Sequence, residues 1–336
     1  MGTTIKFGNL EKGKRNLITD VPGVKVGHVT LNDGDIQTGV TALLPGEGSA
    51  FRRKFPAAVH VINGFGKSAG LIQVKELGNI ETPIVLTNTL SVAAGLDGLI
   101  TYMLRDHPEI GTTTGTVNPV VMECNDSYLN DIRGRHVTPE HVLTAIENAS
   151  EEFDEGAVGA GRGMKCYGWK GGIGSASRVL SFGDQKYTVG CLILTNFGKK
   201  EHFTINGKKA GTERVDPADY EDKGSCIMIL ATDLPLSDRQ LQRATHRAQN
   251  GLARTGAQTG GGSGEIVLMF STANRIPHMA KEPVAEYRFL HEDLLDIVFT
   301  AVSDCVEESL VSSIFHAENV TGREGHTLES YIREST

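Results

Sequence analysis

The sequence predicts a single layered α/β domain in which stacked β-sheets are covered by helices on the outside. Short apolar, partly β-branched segments recur in groups, and each is bounded by glycine, proline or charged residues, as buried strands are. Apolar stretches of helical length flank these groups. The chain has 336 residues, which is compatible with one large domain over 1–336.

The first half of the chain predicts strands followed by two helices. Strands are expected after a turn at Pro22-Gly23 and over residues 39–45, 57–62 and 81–89. A helix is expected over 90–106, with a core-facing side formed by Leu96, Leu99, Ile100 and Met103. Thr138 as N-cap and Pro139 in the first turn predict a second helix that runs to about Glu152.

The second half alternates buried strands with longer helices. Strands are predicted over 186–198, ending at Asn196, and over 226–231 and 265–272. Between the first two lies a polar linker, 199–224, without helical or strand periodicity. Ser237 and Gln240 form a capping box before a helical face of Leu241, Ala244, Ala248 and Leu252. The last helical region, about 289–316, has a core side of Leu294, Val298, Ala301, Val302, Cys305 and Val306.

Composition excludes several classes of protein. The formal net charge of −8 and the lack of a basic run argue against nucleic-acid binding. No apolar run approaches the roughly 18 residues that a membrane helix needs, and the N-terminus has no apolar signal core, so a cytoplasmic protein is expected. The 5 cysteines are widely spaced and form no Cys-x-x-Cys pair, which argues against disulfides and zinc knuckles.

Other familiar sites fail on spacing, so neither a metal nor a cofactor is expected. His136 and His141 are five apart and fall on different helical faces. The segment Asn63-Gly-Phe-Gly-Lys-Ser resembles the end of a phosphate loop, but Val61 stands where that loop needs glycine. At 261–265 a lipase-type Gly-x-Ser-x-Gly motif fails, because Glu265 replaces the last glycine.

The dipeptide Gly224-Ser225 is the strongest candidate for chemistry. Taken alone it would be an ordinary turn, but it joins the long polar linker to a strongly buried strand. Ser263 and Glu265 open the next buried strand. If the two strands are neighbours, Ser225, Ser263 and Glu265 converge at one end of a sheet.

Motifs along nearly the whole chain resemble those of one enzyme family. Around Ser225 they are Ser225-Cys-Ile-Met-Ile-Leu-Ala-Thr-Asp-Leu-Pro-Leu, Leu252-Ala-Arg-Thr-Gly, Gly262-Ser-Gly-Glu and Phe270-Ser-Thr-Ala-Asn. Elsewhere they include Asp20-Val-Pro-Gly-Val-Lys-Val-Gly-His, Leu86-Thr-Asn-Thr, Pro119-Val-Val-Met-Glu, Lys170-Gly-Gly-Ile-Gly-Ser-Ala-Ser-Arg and Ala317-Glu-Asn-Val-Thr-Gly-Arg-Glu-Gly-His. The chain resembles the DmpA-type L-aminopeptidase/D-amidase-esterases and β-peptidyl aminopeptidases of peptidase family S58.

The resemblance implies a four-layer α-β-β-α sandwich, similar to N-terminal-nucleophile hydrolases but with its own connectivity. It also implies that the precursor cuts itself between Gly224 and Ser225, giving chains 1–224 and 225–336 that stay together. Ser225 would then be an N-terminal nucleophile. Its new α-amine titrates near 7.7–8.0 and can accept the hydroxyl proton near neutral pH.

The resemblance assigns roles to further residues. Ser263 and Glu265 would lie beside Ser225, with Glu265 holding Ser263 and the Ser225 amine, and Asn196 would donate to the oxyanion. Glu123 would bind the free ammonium of small peptide, amide or ester substrates. Asn125 stands where some family members carry an aromatic residue, so it is a candidate substrate contact. The family forms homotetramers or larger oligomers, which are expected here too.

Three alternatives remain open at this point. A nylon-oligomer hydrolase and an ornithine acetyltransferase-like enzyme share the self-cleaving chemistry but use threonine as nucleophile, so Ser225 counts against both. A non-catalytic binding or scaffold homologue belongs to a different class. The presence of Gly224, Ser225, Ser263 and Glu265 counts against it.

Overall fold

The structure, a computed structural model, describes residues 5–211, 223–280 and 282–331. The strands are β1 (Lys25–Asp33), β2 (Ile36–Leu44), β3 (Arg53–Gly64), β4 (Asn79–Ile80), β5 (Ile84–Asn88), β6 (Val120–Cys124), β7 (Lys165–Cys166), β8 (Trp169–Lys170), β9 (Ile173–Phe182), β10 (Gln185–Asn196), β11 (Thr204–Ile205), β12 (Lys208–Lys209), β13 (Lys223–Thr232), β14 (Gly262–Ser271), β15 (Ile276–Pro277), β16 (Val320–Thr321) and β17 (Thr327–Leu328). The helices are α1 (Leu71–Leu77), α2 (Val92–Asp106), α3 (Pro139–Glu147), α4 (Asp238–Thr245), α5 (Ala248–Arg254) and α6 (Leu295–Phe315).

Two sheets form the centre of the molecule. The larger has the order β15-β3-β14-β13-β10-β9, with β4 also paired to β3, and the smaller has the order β1-β2-β5-β6. The β13–β14 and β5–β6 pairs are parallel, and the other pairs in these sheets are antiparallel. The strand that carries Ser225 is therefore central, with a neighbour on each side.

Three apolar layers hold the sheets and helices together. Alternate residues of β13 take opposite faces of the sheet, because side chains along a strand have a period of two. Ile227, Ile229 and Ala231 pack between the two sheets, whereas Cys226, Met228 and Leu230 pack against α4, α5 and α6. On the outer face of the smaller sheet, α2 and α3 cover Val40, Val85 and Val121. The layers are thus helix, sheet, sheet, helix.

The helix that begins at Pro139 ends earlier than the sequence predicts. It stops at Glu147 rather than near Glu152. Just beyond it, Ser150 exchanges two backbone hydrogen bonds of 3.0 Å with Val26 of β1. The chain is therefore used as a strand-like partner where helical periodicity predicts another turn.

Two other helical predictions need correction. The helix expected along Leu241–Leu252 is two helices, α4 and α5, although the predicted face is buried throughout. The last helix begins only at Leu295, and Leu294 is exposed rather than in the core. On α2, Ile100 is likewise 37% exposed, whereas Leu99 and Met103 are buried.

The polar linker contains a small hairpin that the sequence analysis missed. β11 pairs with β12 across Asn206-Gly207, and both turn residues have positive φ, 51° and 70°. Asn-Gly is a strong signal for such a two-residue turn. The part of the linker from 212 to 222 lies outside the described residues. The following strand begins at Lys223, so Ser225 lies inside β13 rather than before it.

Two further features of the structure concern the environment of the cysteines and the length of the helices. All five cysteines lie in the described part of the chain, form no disulfide there and are buried, as expected for small apolar core residues. Among the described residues, no helix is long and apolar enough to cross a membrane.

Candidate active site

Ser225 lies near the start of the central strand β13, held by neighbouring strands on both sides. It pairs with Asn196 of β10 on one side and with Gly264 of β14 on the other. The residue is only 5% exposed, and its hydroxyl donates a 2.6 Å hydrogen bond to the carbonyl of Gly224. The candidate nucleophile therefore already contacts the peptide group that precedes it.

Gly224 fits a position where no side chain has room. A Cβ at this residue would lie 2.5 Å from the carbonyl oxygen of Asn196 and 2.6 Å from Cβ of Phe197. Real Cβ atoms do not make such contacts with backbone, so any other residue would displace the strand. Glycine lets β13 approach β10 closely at this bond.

Ser263 and Glu265 occupy the strand next to Ser225. Their hydroxyl and carboxylate form a direct hydrogen bond, Ser263 Oγ donating to Glu265 Oε1, and both residues are buried. Register pairs Ser263 with Gly224 and Glu265 with Cys226. By strand alternation these two side chains face the helix side of the sheet with Cys226, whereas Ser225 shares its face with Ile227. The pair thus lies beside the Gly224–Ser225 backbone.

The side chain of Asn196 is fixed at both of its polar atoms. Its Oδ1 accepts a 3.0 Å hydrogen bond from the backbone N–H of Lys165. Its Nδ2 donates to the backbone carbonyl of Asn125 at 2.7 Å. These two bonds set the orientation of the Asn196 amide.

Glu123 is a buried carboxylate held by two uncharged donors. The backbone N–H of Lys67 donates to Oε1 at 2.7 Å, and the Thr89 hydroxyl donates to Oε2. The residue is 2% exposed, and no Lys or Arg side chain of the described residues forms an ion pair with it. A cation placed beside this carboxylate would form a charge-assisted hydrogen bond with it.

One cleft joins these groups. It has a volume of about 340 Å³ and is lined by Phe65, Lys67, Thr89, Glu123, Asn125, Ser127, Tyr128, Lys165, Asn196, Gly224, Ser225 and Gly262. Of the residues predicted from the sequence, Ser225, Asn196, Glu123, Asn125 and Gly224 line it. Ser263 and Glu265 lie behind its floor. The side-chain oxygen of Asn125 accepts a hydrogen bond from the backbone N–H of Ser127. The contact of Asn125 with Asn196 is made by its backbone carbonyl and not by its side chain.

Comparison with known proteins decides the family. A sequence model described as peptidase family S58 matches residues 16–328. The chain belongs to peptidase family S58. The "Beta-peptidyl aminopeptidase BapA" of Sphingosinicella microcystinivorans is 35% identical over 343 aligned residues, which cover 94% of this chain and 85% of that protein.

Solved structures agree with this family S58 assignment. A Pyrococcus horikoshii OT3 protein of known crystal structure superposes with a TM-score of 0.92 at 50% identity, covering 98% of this chain and 96% of that one. The L-aminopeptidase D-Ala-esterase/amidase of Ochrobactrum anthropi gives 0.90 at 34% identity, covering 98% and 94%. The latter is described as a serine aminopeptidase with a variant of the Ntn hydrolase fold. The predicted α-β-β-α sandwich is confirmed, and the family S58 chain is a hydrolase of the aminopeptidase class.

Several residues of the family S58 cleft escape the sequence analysis. Thr89 and Lys67 hold Glu123, and Lys165 holds Asn196. Lys67 belongs to the segment that resembles the end of a phosphate loop. It contacts Glu123 through its backbone N–H, and a backbone contact leaves no pattern of side chains in the sequence. Asn63, in the same segment, donates to the carbonyl of Ser263. The signal in the sequence that could have indicated these contacts is the glycine-containing segment 63–68, which directly follows a predicted strand.

Burial shifts the pKa of three side chains in or next to the Ser225 cleft. Desolvation lowers the pKa of Lys165, which is half-buried in the cleft wall. Desolvation also raises the pKa of Asp126 to about 7, although hydrogen bonds with Thr38 and Asn130 oppose the change. The thiol of Cys226, next to Ser225, has its pKa raised well above its ordinary value by burial, so it stays protonated and unreactive.

Proposed function

We propose that the chain cleaves itself between Gly224 and Ser225 and then acts as an N-terminal serine aminopeptidase on short peptides, amides or esters with a free amine. The observation that carries the proposal is a single cleft that holds Ser225, the oriented amide of Asn196 and the desolvated carboxylate of Glu123. These are a nucleophile, an oxyanion donor and an amine-binding group.

Self-cleavage would proceed by acyl transfer. Ser225 Oγ attacks the carbonyl carbon of Gly224, the C–N bond breaks, and the hydroxyl proton ends on the departing α-amine of Ser225. Water then hydrolyses the ester, leaving a carboxylate on Gly224 and a free Ser225 hydroxyl. The contact of Oγ with this peptide group and the lack of a side chain at Gly224 support this step.

The new α-amine supplies the base for peptide hydrolysis. An α-amine has an ordinary pKa of about 7.7–8.0, so an appreciable fraction is neutral near pH 7.5 and can take the Ser225 hydroxyl proton. Glu265, already bonded to Ser263, lies beside this backbone and would hold the amine by a charge-assisted hydrogen bond. Substrate acylates Ser225 Oγ, its amine leaves with the proton, and water releases the acyl group.

Glu123 restricts the activity to the N-terminus of the substrate. Its carboxylate is desolvated and lacks a cationic partner in the described part of the chain, so a substrate ammonium would complete the site. An internal peptide bond offers no such charge and would leave the carboxylate buried and unpaired. By their names, the relatives are a β-peptidyl aminopeptidase and an L-aminopeptidase D-Ala-esterase/amidase, and both names fit this class of amine-bearing substrates.

Paired serine variants test the function. Ser225→Ala should remain one chain of 36.1 kDa and release no amine from aminoacyl p-nitroanilides. The matched control is Ser181→Ala, an exposed serine on β9, which should be cut and active like the wild type. A Ser225→Ala protein that is cut and active would overturn the proposal.

Location and assembly are part of the same proposal. We propose a cytoplasmic homo-oligomer of four or more copies. Five buried cysteines that form no disulfide in the described part of the chain suit a reducing compartment. Large apolar side chains stand exposed on α1 and in the segment before α6, among them Ile72, Val284 and Phe289, and such residues are typical of surfaces that pair with another chain.

A further inference from the structure

We propose that Lys165 binds the C-terminal carboxylate of the substrate, so that the enzyme is selective for free short peptides of two or three residues. This inference rests on the proposed function, and it adds a specificity-determining residue at the leaving-group side of the cleft. Neither the family motifs nor the sequence analysis point to this lysine.

The topology of the larger sheet puts the two charges on opposite sides of Ser225. Glu123 accepts a hydrogen bond from the N–H of Lys67, which follows β3, and β3 lies beyond β14 on one side of β13. Lys165 donates its N–H to Asn196 of β10, on the other side of β13. A substrate whose ammonium contacts Glu123 and whose scissile carbonyl lies at Ser225 therefore extends its leaving group toward Lys165.

Lys165 has the environment of an anion-binding group. Its ammonium lies 5.1 Å from the ring centroid of Tyr128 and lines the cleft. No carboxylate of the described residues forms an ion pair with it. Partial burial lowers its pKa, which means that the cation has lost part of its water. A carboxylate would restore the missing interactions.

A second buried lysine keeps this segment in place. Lys170 donates from Nζ to the carbonyls of Gly161, Met164 and Gly171 at 2.8, 2.8 and 2.6 Å. These bonds tie together the glycine-dense segment that precedes and follows Lys165. The Lys165 side chain is therefore presented by a fixed backbone, which reduces the entropy lost when it binds a ligand.

The distance between the two sides limits substrate length. Three strand spacings separate β3 from β10, about 14 Å at the usual 4.7–4.9 Å per strand. Glu123 reaches the cleft from β6 and Lys165 reaches it from β7, so their side chains take up part of the cleft's width. Two or three extended residues span roughly 7 to 11 Å, which fits the remainder. A long peptide could not bring its C-terminal carboxylate to Lys165 while its first bond lies at Ser225.

The other cation of the cleft is a weaker candidate. Lys67 is exposed, and its ammonium lies 4.2 Å from the centroid of the Phe65 ring, itself 60% exposed. Its backbone contacts Glu123, so it belongs to the side that receives the substrate amine. A leaving-group carboxylate would lie away from it.

The test compares peptide acids with their C-terminal amides. The N-terminal residue X is first chosen as the one that the wild type releases fastest from p-nitroanilides. kcat/KM is then measured for X-Gly, X-Gly-NH2, X-Gly-Gly and X-Gly-Gly-NH2. The wild type should prefer the acid by about tenfold or more for at least one length, as expected for a charge-assisted hydrogen bond. Equal rates for acid and amide at both lengths would overturn the inference without any variant.

Variants then assign the preference to one side chain. Lys165→Met should lose most of the preference because it slows hydrolysis of the acid much more than that of the amide, and the melting temperature of the variant is the control for folding. Lys165→Arg should keep the preference. Lys67→Met should keep the acid-to-amide ratio, and Lys186→Met, an exposed lysine on β10, is the matched control for basal activity.

The outcomes separate this inference from the proposed function. Suppose that the wild type cleaves the peptide acids and amides. If Lys165→Met then keeps the acid preference, or if Lys67→Met loses it instead, the role of Lys165 is overturned and the proposed function still stands. A wild type that cleaves none of the four peptides and no p-nitroanilide overturns the proposed function and this inference with it.

Discussion

Ser225 Oγ lies 2.6 Å from the carbonyl oxygen of Gly224 and donates a hydrogen bond to it. The hydroxyl therefore polarises the peptide group that it would attack in the proposed self-cleavage. The bond lies inside β13, between Asn196 and Gly264, so both products of cleavage would remain held by neighbouring strands.

A side chain at position 224 should slow self-cleavage. In Gly224→Val, the new Cβ meets backbone atoms of Asn196 and Phe197 at 2.5–2.7 Å, so β13 must move away from β10 and lose its aligned geometry. We expect processing at least about tenfold slower, followed by gel electrophoresis after expression. Gly115→Ala is the control, since nothing lies within 4 Å of its Cβ. Processing of Gly224→Val at the wild-type rate would contradict the packing argument.

Removing the carboxylate of Glu265, which lies behind the floor of the Ser225 cleft, should impair catalysis more than folding. In Glu265→Gln the amide cannot hold the ammonium form of the Ser225 amine, and its hydrogen bond with Ser263 becomes weaker. We expect kcat to fall by about a hundredfold or more with the melting temperature little changed, as measured on processed protein. A kcat within threefold of the wild type would exclude Glu265 from the proton-transfer apparatus.

Glu123 should determine the requirement for a free amine. Glu123→Gln keeps the size of the side chain and loses the charge. We expect kcat/KM for amine-bearing substrates to fall by about 10- to 100-fold, the usual magnitude for a hydrogen bond to a charged group. The matched substitution at Glu324, which is exposed, should have no effect. Equal activity of Glu123→Gln on free and N-acetylated substrates would confirm the assignment; an unchanged strict preference would refute it.

Asp126 should make the protein less stable as the pH rises. Burial raises its pKa from 3.8 to about 7, so the folded chain binds this proton more tightly than the unfolded chain does. Its contribution to stability is full below about pH 4 and is lost by about pH 7. The Asn side chain of Asp126→Asn is neutral at every pH. The free energy of unfolding of this variant should therefore rise relative to that of the wild type between about pH 4 and pH 7, by about 4 kcal/mol at most.

Chemical denaturation at pH 5 and pH 8 measures this difference. The exposed Asp33→Asn variant is the control, and its difference from the wild type should be the same at both pH values. A constant difference between Asp126→Asn and the wild type would show that Asp126 is ionised, or solvated, in the folded protein.

Much of the fold follows from patterns that local physics enforces. The strand ending at Asn196 is correct in both type and end, because an apolar run bounded by polar residues admits few alternatives. The capping box at Ser237 and Gln240 is present as predicted. The adjacency of Ser225 to Ser263 and Glu265 also agrees with the expectation that their strands are neighbours.

What the sequence misses depends on tertiary contacts. The early end of α3 depends on Ser150 meeting Val26, which is distant in sequence. Lys165 and Thr89 contact Asn196 and Glu123 across the cleft, and no spacing in the chain encodes those contacts. The roles proposed for Ser225, Asn196 and Glu123 rest on the family resemblance, because the dipeptide Gly224-Ser225 by itself predicts only a turn, whereas it lies inside β13.

The most direct test of the account is the mass and N-terminal sequence of the purified wild-type protein. The account predicts two fragments that co-purify, 1–224 and 225–336, with Ser225 at the new N-terminus and peptidase activity only in the cut form. A single chain of 36.1 kDa that hydrolyses aminoacyl p-nitroanilides at full rate would contradict it.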